Sequence, residues 1–262
     1  MNETAGDKLA LLYEYSKNED VDGAASLFAG EPDMDTPECG RANDSASLER
    51  CIETTGHFLR ERNAQAGVIH KIDSDRRCVA ELAITLDGLD DPLPVAVIGD
   101  LANGKFASIR VYHNMCVYKG YFTARPQLLP LPPTPLVTPQ VVGDYFQAVH
   151  QNPDVERVME QYADDAVMTA PPGFKRRGKT DIRPVYKRFL ETGGIALHHC
   201  TATDNGYSCA IEWACDRWGE KHYPALESGA AVYDYKDGKL LAARIYDDLE
   251  PPFMTGFGPP KA

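Results

Sequence analysis

The side chains equipped for chemistry lie mainly in the second half of the chain. Asp247 closes the alternating run LLAARIYDD, so it shares a strand face with Ala243 and Ile245. A carboxylate on an apolar face loses solvation; its pKa rises and it becomes a usable acid or base near neutrality. The plainer reading is a solvated carboxylate that helps stop the strand before Pro251-Pro252. His198 and His199 are consecutive in IALHHCTAT, so they face opposite ways, and an inward one can act as base, acid or hydrogen-bonding anchor. Two adjacent strand imidazoles cannot chelate one ion, and no metal is expected. Cys215 has nothing basic beside it in sequence to draw off its proton and reads as a thiol lining a pocket. Tyr145, Tyr162 and Tyr186 offer phenols, which donate a hydrogen bond without bringing a charge. The alternative is three tyrosines lining a small core with their hydroxyls paired.

The elements that must hold these groups are legible from periodicity. VVGDYFQAVHQ and DVERVMEQYA carry helical apolar spacing, and DIRPVYKRFLE makes a third helix ended by Gly193-Gly194. Period-two runs follow in IALHHCTAT, YSCAIEWACDRW, HYPALESGAAVYDY and LLAARIYDD. Asn103-Gly and Asp237-Gly, each between apolar runs, predict hairpin turns. The basic run FKRRGK reads as a solvated loop before the third helix.

The halves repeat one another. NGKFASIRVYHNM from Asn103 runs beside DGKLLAARIYDDL from Asp237 at an offset of 134 (237 − 103), and Met34 faces Met168 at the same offset. CVAEL at Cys78 matches CAIEW at Cys209 after a three-residue shift. A constant offset over many positions marks a tandem duplication. Between the copies, PQLLPLPPTPLVTP places six prolines in residues 126–139, an extended connector able to span about 40 Å at ~3.1 Å per residue. The expected layout is a first domain in 1–123, a linker in 124–139, a second domain in 140–252 and a tail in 253–262. Helices followed by a strand meander give α+β domains, each with three helices packed on a curved antiparallel sheet around a pocket.

Tyr145, YADDAVMTAP, RRGKTDIRPVY ending at Tyr186, and GKLLAARIYD resemble the nuclear-transport-factor-2-like superfamily, particularly ketosteroid isomerases and SnoaL-type polyketide cyclases. The resemblance implies two tandem cystatin-like cones. It places Tyr145, Tyr162 and Tyr186 where some isomerases link three tyrosines, one donating to a developing enolate oxygen. The isomerase base falls at Ala170 and its protonated oxyanion partner at Ala230, so steroid isomerisation is disfavoured. The family's register sends His198, Trp213 and Cys215 into the pocket and Glu212 outward, and sets Asp247 at a pocket aromatic's place. Epoxide hydrolases on this fold use an Asp-Arg-Asp arrangement that Arg244 and Asp247 only loosely suggest. In the first copy, Phe28 and Ile52 stand for the supporting tyrosines, Tyr13 lies near the place of Tyr145, Thr36 and Ala96 replace the carboxylates, and His113 matches Asp247. That copy is expected to be degenerate, packing against the second as an intrachain pseudo-dimer.

A net charge of -12 argues against nucleic acid and anionic membranes as partners. The first residues lack a signal peptide's basic start and apolar core, no run approaches membrane-span length, and seven cysteines without a C-x-x-C pair read as reduced thiols. The expectation is a cytoplasmic, cofactor-independent enzyme, a monomer or weak homodimer, taking a small apolar oxygenated molecule through isomerisation, cyclisation, dehydration or epoxide-hydrolase-type chemistry. Asp247, Tyr145 and His198 would be catalytic, and Tyr162, Tyr186, Trp213, Cys215, Ala170 and Ala230 would line the site. The alternative is a non-catalytic ligand-binding or scaffolding protein on the same fold.

Overall fold

The computed structural model describes residues 4–123, 125–170 and 173–249; the expected tail, 253–262, lies outside them. The chain divides into two compact units, Met1–Met115 and Cys116–Ala262. The first contains α1 (Ala5–Lys17), α2 (Val21–Ser26), β1 (Met34–Thr36), β2 (Gly40–Ala42), α3 (Ser45–Glu61), β3 (Gln65–Asp73), β4 (Arg77–Thr85), β5 (Leu93–Ala102) and β6 (Lys105–Tyr112). The second contains α4 (Cys116–Lys119), α5 (Gln140–Phe146) running into a π-helical turn (Gln147–Gln151), α6 (Val155–Gln161), β7 (Tyr162–Ala170), β8 (Phe174–Arg177), α7 (Lys179–Glu191), β9 (Ile195–Asp204), β10 (Ser208–Trp218), β11 (Lys221–Lys236) and β12 (Lys239–Asp247).

The sheets have the same strand order, β2-β1-β6-β5-β4-β3 and β8-β7-β12-β11-β10-β9. Two copies of one topology make the duplication visible in the backbone. Both Asn-Gly and Asp-Gly corners hold two consecutive positive φ angles, 53° and 77° at Asn103-Gly104, 51° and 70° at Asp237-Gly238. This is the geometry that joins twisted antiparallel strands in two residues.

The sheets are mixed, whereas a purely antiparallel meander was expected. β1 runs parallel to β6, and β7 parallel to β12. Period two reports which face a residue takes, and is silent on the direction of the neighbouring strand. Helix α6 also stops at Gln161: Tyr162 is extended (φ -82°, ψ 147°) and opens β7. FKRRGK is not a loop throughout, since Phe174–Arg177 pairs with β7 as the edge strand β8. There Arg176 sits over the Phe174 ring, 4.4 Å from its centroid.

The connector has structure at its start. Because β12 ends opposite Gly229, the edge of β11 beyond it is vacant. Ser228 N–H donates to Arg125 O (2.8 Å), Ser228 Oγ donates to Pro126 O (2.9 Å), and Leu128 N–H donates to Ser228 Oγ (2.8 Å). Proline suits an edge, where its missing donor costs nothing.

One glycine decides how the second core closes. Gly229 lies opposite Trp213 on β10 and opposite Asp247 on β12, and a Cβ there would fall 2.1 Å from Trp213 Cη2. The indole therefore lies flat across β11, one strand short of Asp247. Gly229→Ala should lower stability by about 1–3 kcal/mol, the usual cost of overpacking. Adding Trp213→Phe should recover part of that loss, read as the urea midpoint; an unchanged midpoint for the single variant would contradict this packing.

Candidate active site

Between the helices and the concave face of the second sheet lies a cavity of about 90 Å³. Its wall is mostly aromatic, including Phe146, Phe174, Phe189, Trp213 and Trp218, with Tyr145, Tyr186 and Tyr233 contributing hydroxyls and Asp247 a carboxyl. Pairing settles which residues face it. Ile211, Ala231 and Ile245 lie opposite one another across β10, β11 and β12, as do Trp213, Gly229 and Asp247. Over Cys209–Cys215 of β10, Gly229–Tyr233 of β11 and Ala243–Asp247 of β12, odd-numbered residues therefore face the cavity side.

Asp247 is 6% exposed. Burial raises its pKa from 3.8 to about 7, opposed by the Leu249 N–H that donates to Oδ1 at 3.3 Å and assisted by Asp248. Between the two sequence readings of Asp247, the buried carboxyl at the cavity wall is the one present. Such a group exchanges a proton near neutral pH.

The three tyrosines form a chain. Tyr162 Oη and Tyr186 Oη are 2.8 Å apart, as are Tyr186 Oη and Tyr145 Oη. Tyr162 is fully buried behind the cavity, while Tyr186 and Tyr145 reach its wall. Burial raises all three phenols, so they stay protonated and able to donate. A fourth, Tyr233, packs beside them, its ring centroid 5.4 Å from that of Tyr145. The signal for Tyr233 was available, because alternation that turns Cys209, Ile211 and Trp213 inward turns its partner in the Cys209–Tyr233 pair inward too.

His198 is a correction. It points away from the cavity, is 43% exposed, and its Nε2 lies 3.3 Å from Asp216 Oδ2, a surface contact of little energetic weight. The reason is a bulge. Thr201 pairs with Glu212, but His199 pairs with Trp213, so Cys200 is an extra residue and alternation in β9 inverts there. His199 is the inward imidazole, its ring centroid 3.9 Å from that of Phe146, and its Nε2 is buried without a hydrogen bond among the described residues.

His150, not singled out by sequence, lines the cavity. In an α-helix a residue five on from Tyr145 lies about 140° round the axis. The π-turn, marked by the bond from Asn152 N–H to Gln147 O (2.9 Å), brings that spacing back toward one face. His150 Nδ1–H donates to Ile195 O at 3.1 Å, leaving Nε2 as the acceptor of a neutral ring. Burial lowers its pKa to about 4, with the Ile195 carbonyl opposing and Arg217 assisting. An NMR titration should find His150 neutral at pH 6 with its proton on Nδ1; a midpoint near 6.5 would contradict this environment. Since its unfolded pKa is higher, this group withdraws stability as pH falls from about 6.5 through 4.

Ala230, expected to line the site, is on the opposite face, paired with Glu212 and Tyr246; the cavity-side neighbour is Gly229. Cys215 is fully buried in the core, its Sγ 3.2 Å from Arg217 O, and burial holds its pKa high. Ala170 lines the cavity, so no carboxylate stands at that point of the wall. Arg244 lies on the opposite face of β12 from Asp247 and makes a two-pronged pair with Asp234 (2.6 and 2.8 Å). Glu212 is buried on the same outer face and accepts from Thr201 Oγ1 at 2.7 Å. In the first unit, Phe28 and Ile52 are buried, and His113 Nε2 lies 2.7 Å from Glu38 Oε1. Among the described residues, no three His, Cys, Asp or Glu side chains are grouped to hold a metal ion, and no helix is long and apolar enough to cross a membrane.

Residues 142–243 match the family model for a SnoaL-like domain. The second unit carries a SnoaL-like domain. The matched span contains Tyr145, Tyr162, Tyr186 and Tyr233, and Asp247 follows four residues beyond its end on the same strand, β12. Similar solved structures include a candidate polyketide cyclase from Sinorhizobium meliloti (21% identity, 41% of this chain and 94% of that one, TM-score 0.36) and an LEH-like epoxide hydrolase from M. tuberculosis (19%, 41% and 80%, 0.37). A protein with a ketosteroid isomerase-like fold from Catenulispora acidiphila, in complex with trimethylamine, is 16% identical over 43% of this chain and 88% of that one, with a TM-score of 0.37. No curated protein matches the chain.

Proposed function

We propose that the SnoaL-like domain is a cofactor-independent enzyme acting on a small, mostly apolar, oxygenated molecule held in the aromatic cavity. The observation that carries this reading is Asp247, a buried carboxyl with a pKa near 7 on the wall of a cavity that also presents the Tyr145 hydroxyl. One group exchanges a proton at neutral pH; the other donates to an oxygen on which negative charge develops, with Tyr186 and Tyr162 polarised behind it. The Nε1–H of Trp218, at the cavity wall and buried without a hydrogen-bond partner among the described residues, supports a ligand with a further acceptor.

The reaction class is isomerisation, cyclisation or dehydration, each of which needs a proton moved and an oxygen stabilised. Ala170 removes the base of the isomerase route, and Asp247 supplies one from the last strand instead. Native mass spectrometry of the protein against a library of hydroxylated and carbonyl-bearing apolar compounds should identify a bound molecule. Full turnover of that molecule by both Asp247→Asn and Tyr145→Phe would overturn the assignment.

A further inference from the structure

The first unit holds a smaller cavity, about 10 Å³, room for roughly one water. Tyr13, Thr36, Glu38 and Thr55 line it, and two thiols touch the lining threonines from behind, Cys51 at Thr36 and Cys39 at Thr55. Cys39 is in the tight turn between β1 and β2, before Gly40 (φ 69°), and is half-buried; Cys51 is buried on α3. Thr36 ties them together: its Oγ1 accepts from Cys39 N–H at 3.2 Å and lies 3.7 Å from Cys51 Sγ. Cys39 Sγ is itself 3.7 Å from the carbonyl oxygen of Cys51 and 4.0 Å from Thr55 Oγ1, one helical turn further on. The turn thus lays its thiol over the segment of α3 that Cys51 begins.

We propose that Cys39 and Cys51 are a thiol oxidation site, in which Cys39 reacts with a hydroperoxide and Cys51 resolves the product to a disulfide. The Cys39 thiolate attacks the O–O bond of ROOH; with a proton taken up, this gives Cys39–SOH and ROH. The Cys51 thiol then displaces water from that sulfenic acid. The net change is two thiols and ROOH to one disulfide, ROH and water, with two electrons passing from sulfur to the peroxide.

The electrostatics divide the labour in this direction. The neighbouring Cys51 side chain lowers the Cys39 pKa, helped by Thr36 and Thr55 against burial and the neighbouring Glu38 charge. Cys51 moves the opposite way, raised by the neighbouring Cys39 side chain and by burial. A half-exposed, thiolate-prone cysteine beside a protonated one is the arrangement of an attacking and a resolving thiol. Cys78, Cys209 and Cys215 have burial alone as their leading influence, and it raises all three.

The test treats the reduced full-length protein with hydrogen peroxide and maps its peptides without reduction. A Cys39–Cys51 linked peptide, reversed by dithiothreitol, is expected. Cys51→Ser should halt the reaction at a Cys39 sulfenic acid that dimedone traps. In the untreated protein, iodoacetamide at pH 7 should modify Cys39 at least about tenfold faster than Cys78. Linkage of Cys39 to any other cysteine, or no linkage together with equal alkylation rates, would overturn the proposal.

Discussion

At pH 8, Asp247→Asn should be more stable than the unaltered protein while losing about 10²- to 10⁴-fold in turnover. Both effects come from one burial. The folded pKa is about 7 and the unfolded one 3.8, so the folded state holds the proton more tightly. The stability it contributes is complete below about pH 4 and is lost as pH rises through 7. A shift of about three units corresponds to at most about 4 kcal/mol at pH 8. Asn carries no charge to desolvate and escapes that cost. Thermal melts of the two proteins should therefore coincide near pH 4 and separate at pH 8, with the variant higher. A variant that melts lower at pH 8 would place the carboxylate in a favourable ion pair and remove it from this role. His150 loses stability in the other direction across an overlapping window, so melts on a His150→Phe background isolate the Asp247 contribution.

Tyr145→Phe should cost about 10² to 10³ in turnover, as the loss of one donor to a developing oxyanion does elsewhere. Its stability cost should be small, because Tyr186 keeps its bond to Tyr162. Tyr186→Phe should behave differently. It leaves Tyr145 and the fully buried Tyr162 without their common partner, a cost of about 1–3 kcal/mol. Tyr162→Phe removes only the end of the chain and should cost about 1 kcal/mol. The double variant Tyr162→Phe, Tyr186→Phe should fall short of the sum of the singles, since it orphans fewer hydroxyls. Additivity in urea denaturation would show that the 2.8 Å contacts do not act as a network.

The duplication, the helices and the meander of the last four strands in each unit were legible, because offsets and periodicities survive in sequence when contacts do not. Tyr145, Tyr186, Trp213 and Asp247 stand where pattern and family register put them, on the cavity wall. Two of the misses share one origin: His198 was misplaced and His150 overlooked because the local backbone departs from the ideal period, through an extra residue in β9 and a wide turn after α5. Ala230 was misplaced by one residue of family register on a stretch of β11 whose pairing is regular. The parallel contact of β7 with β12 was equally hidden, since it joins segments far apart in the chain.

The extra residue at Cys200 has a consequence for variation in this chain. It acts as a reading frame for one wall of the cavity. Loss of a single residue from the N-terminal half of β9 would exchange His199 for its neighbour and turn a surface imidazole inward, with no substitution at any position that touches the cavity. Which chemistry that wall presents is set by length as much as by composition.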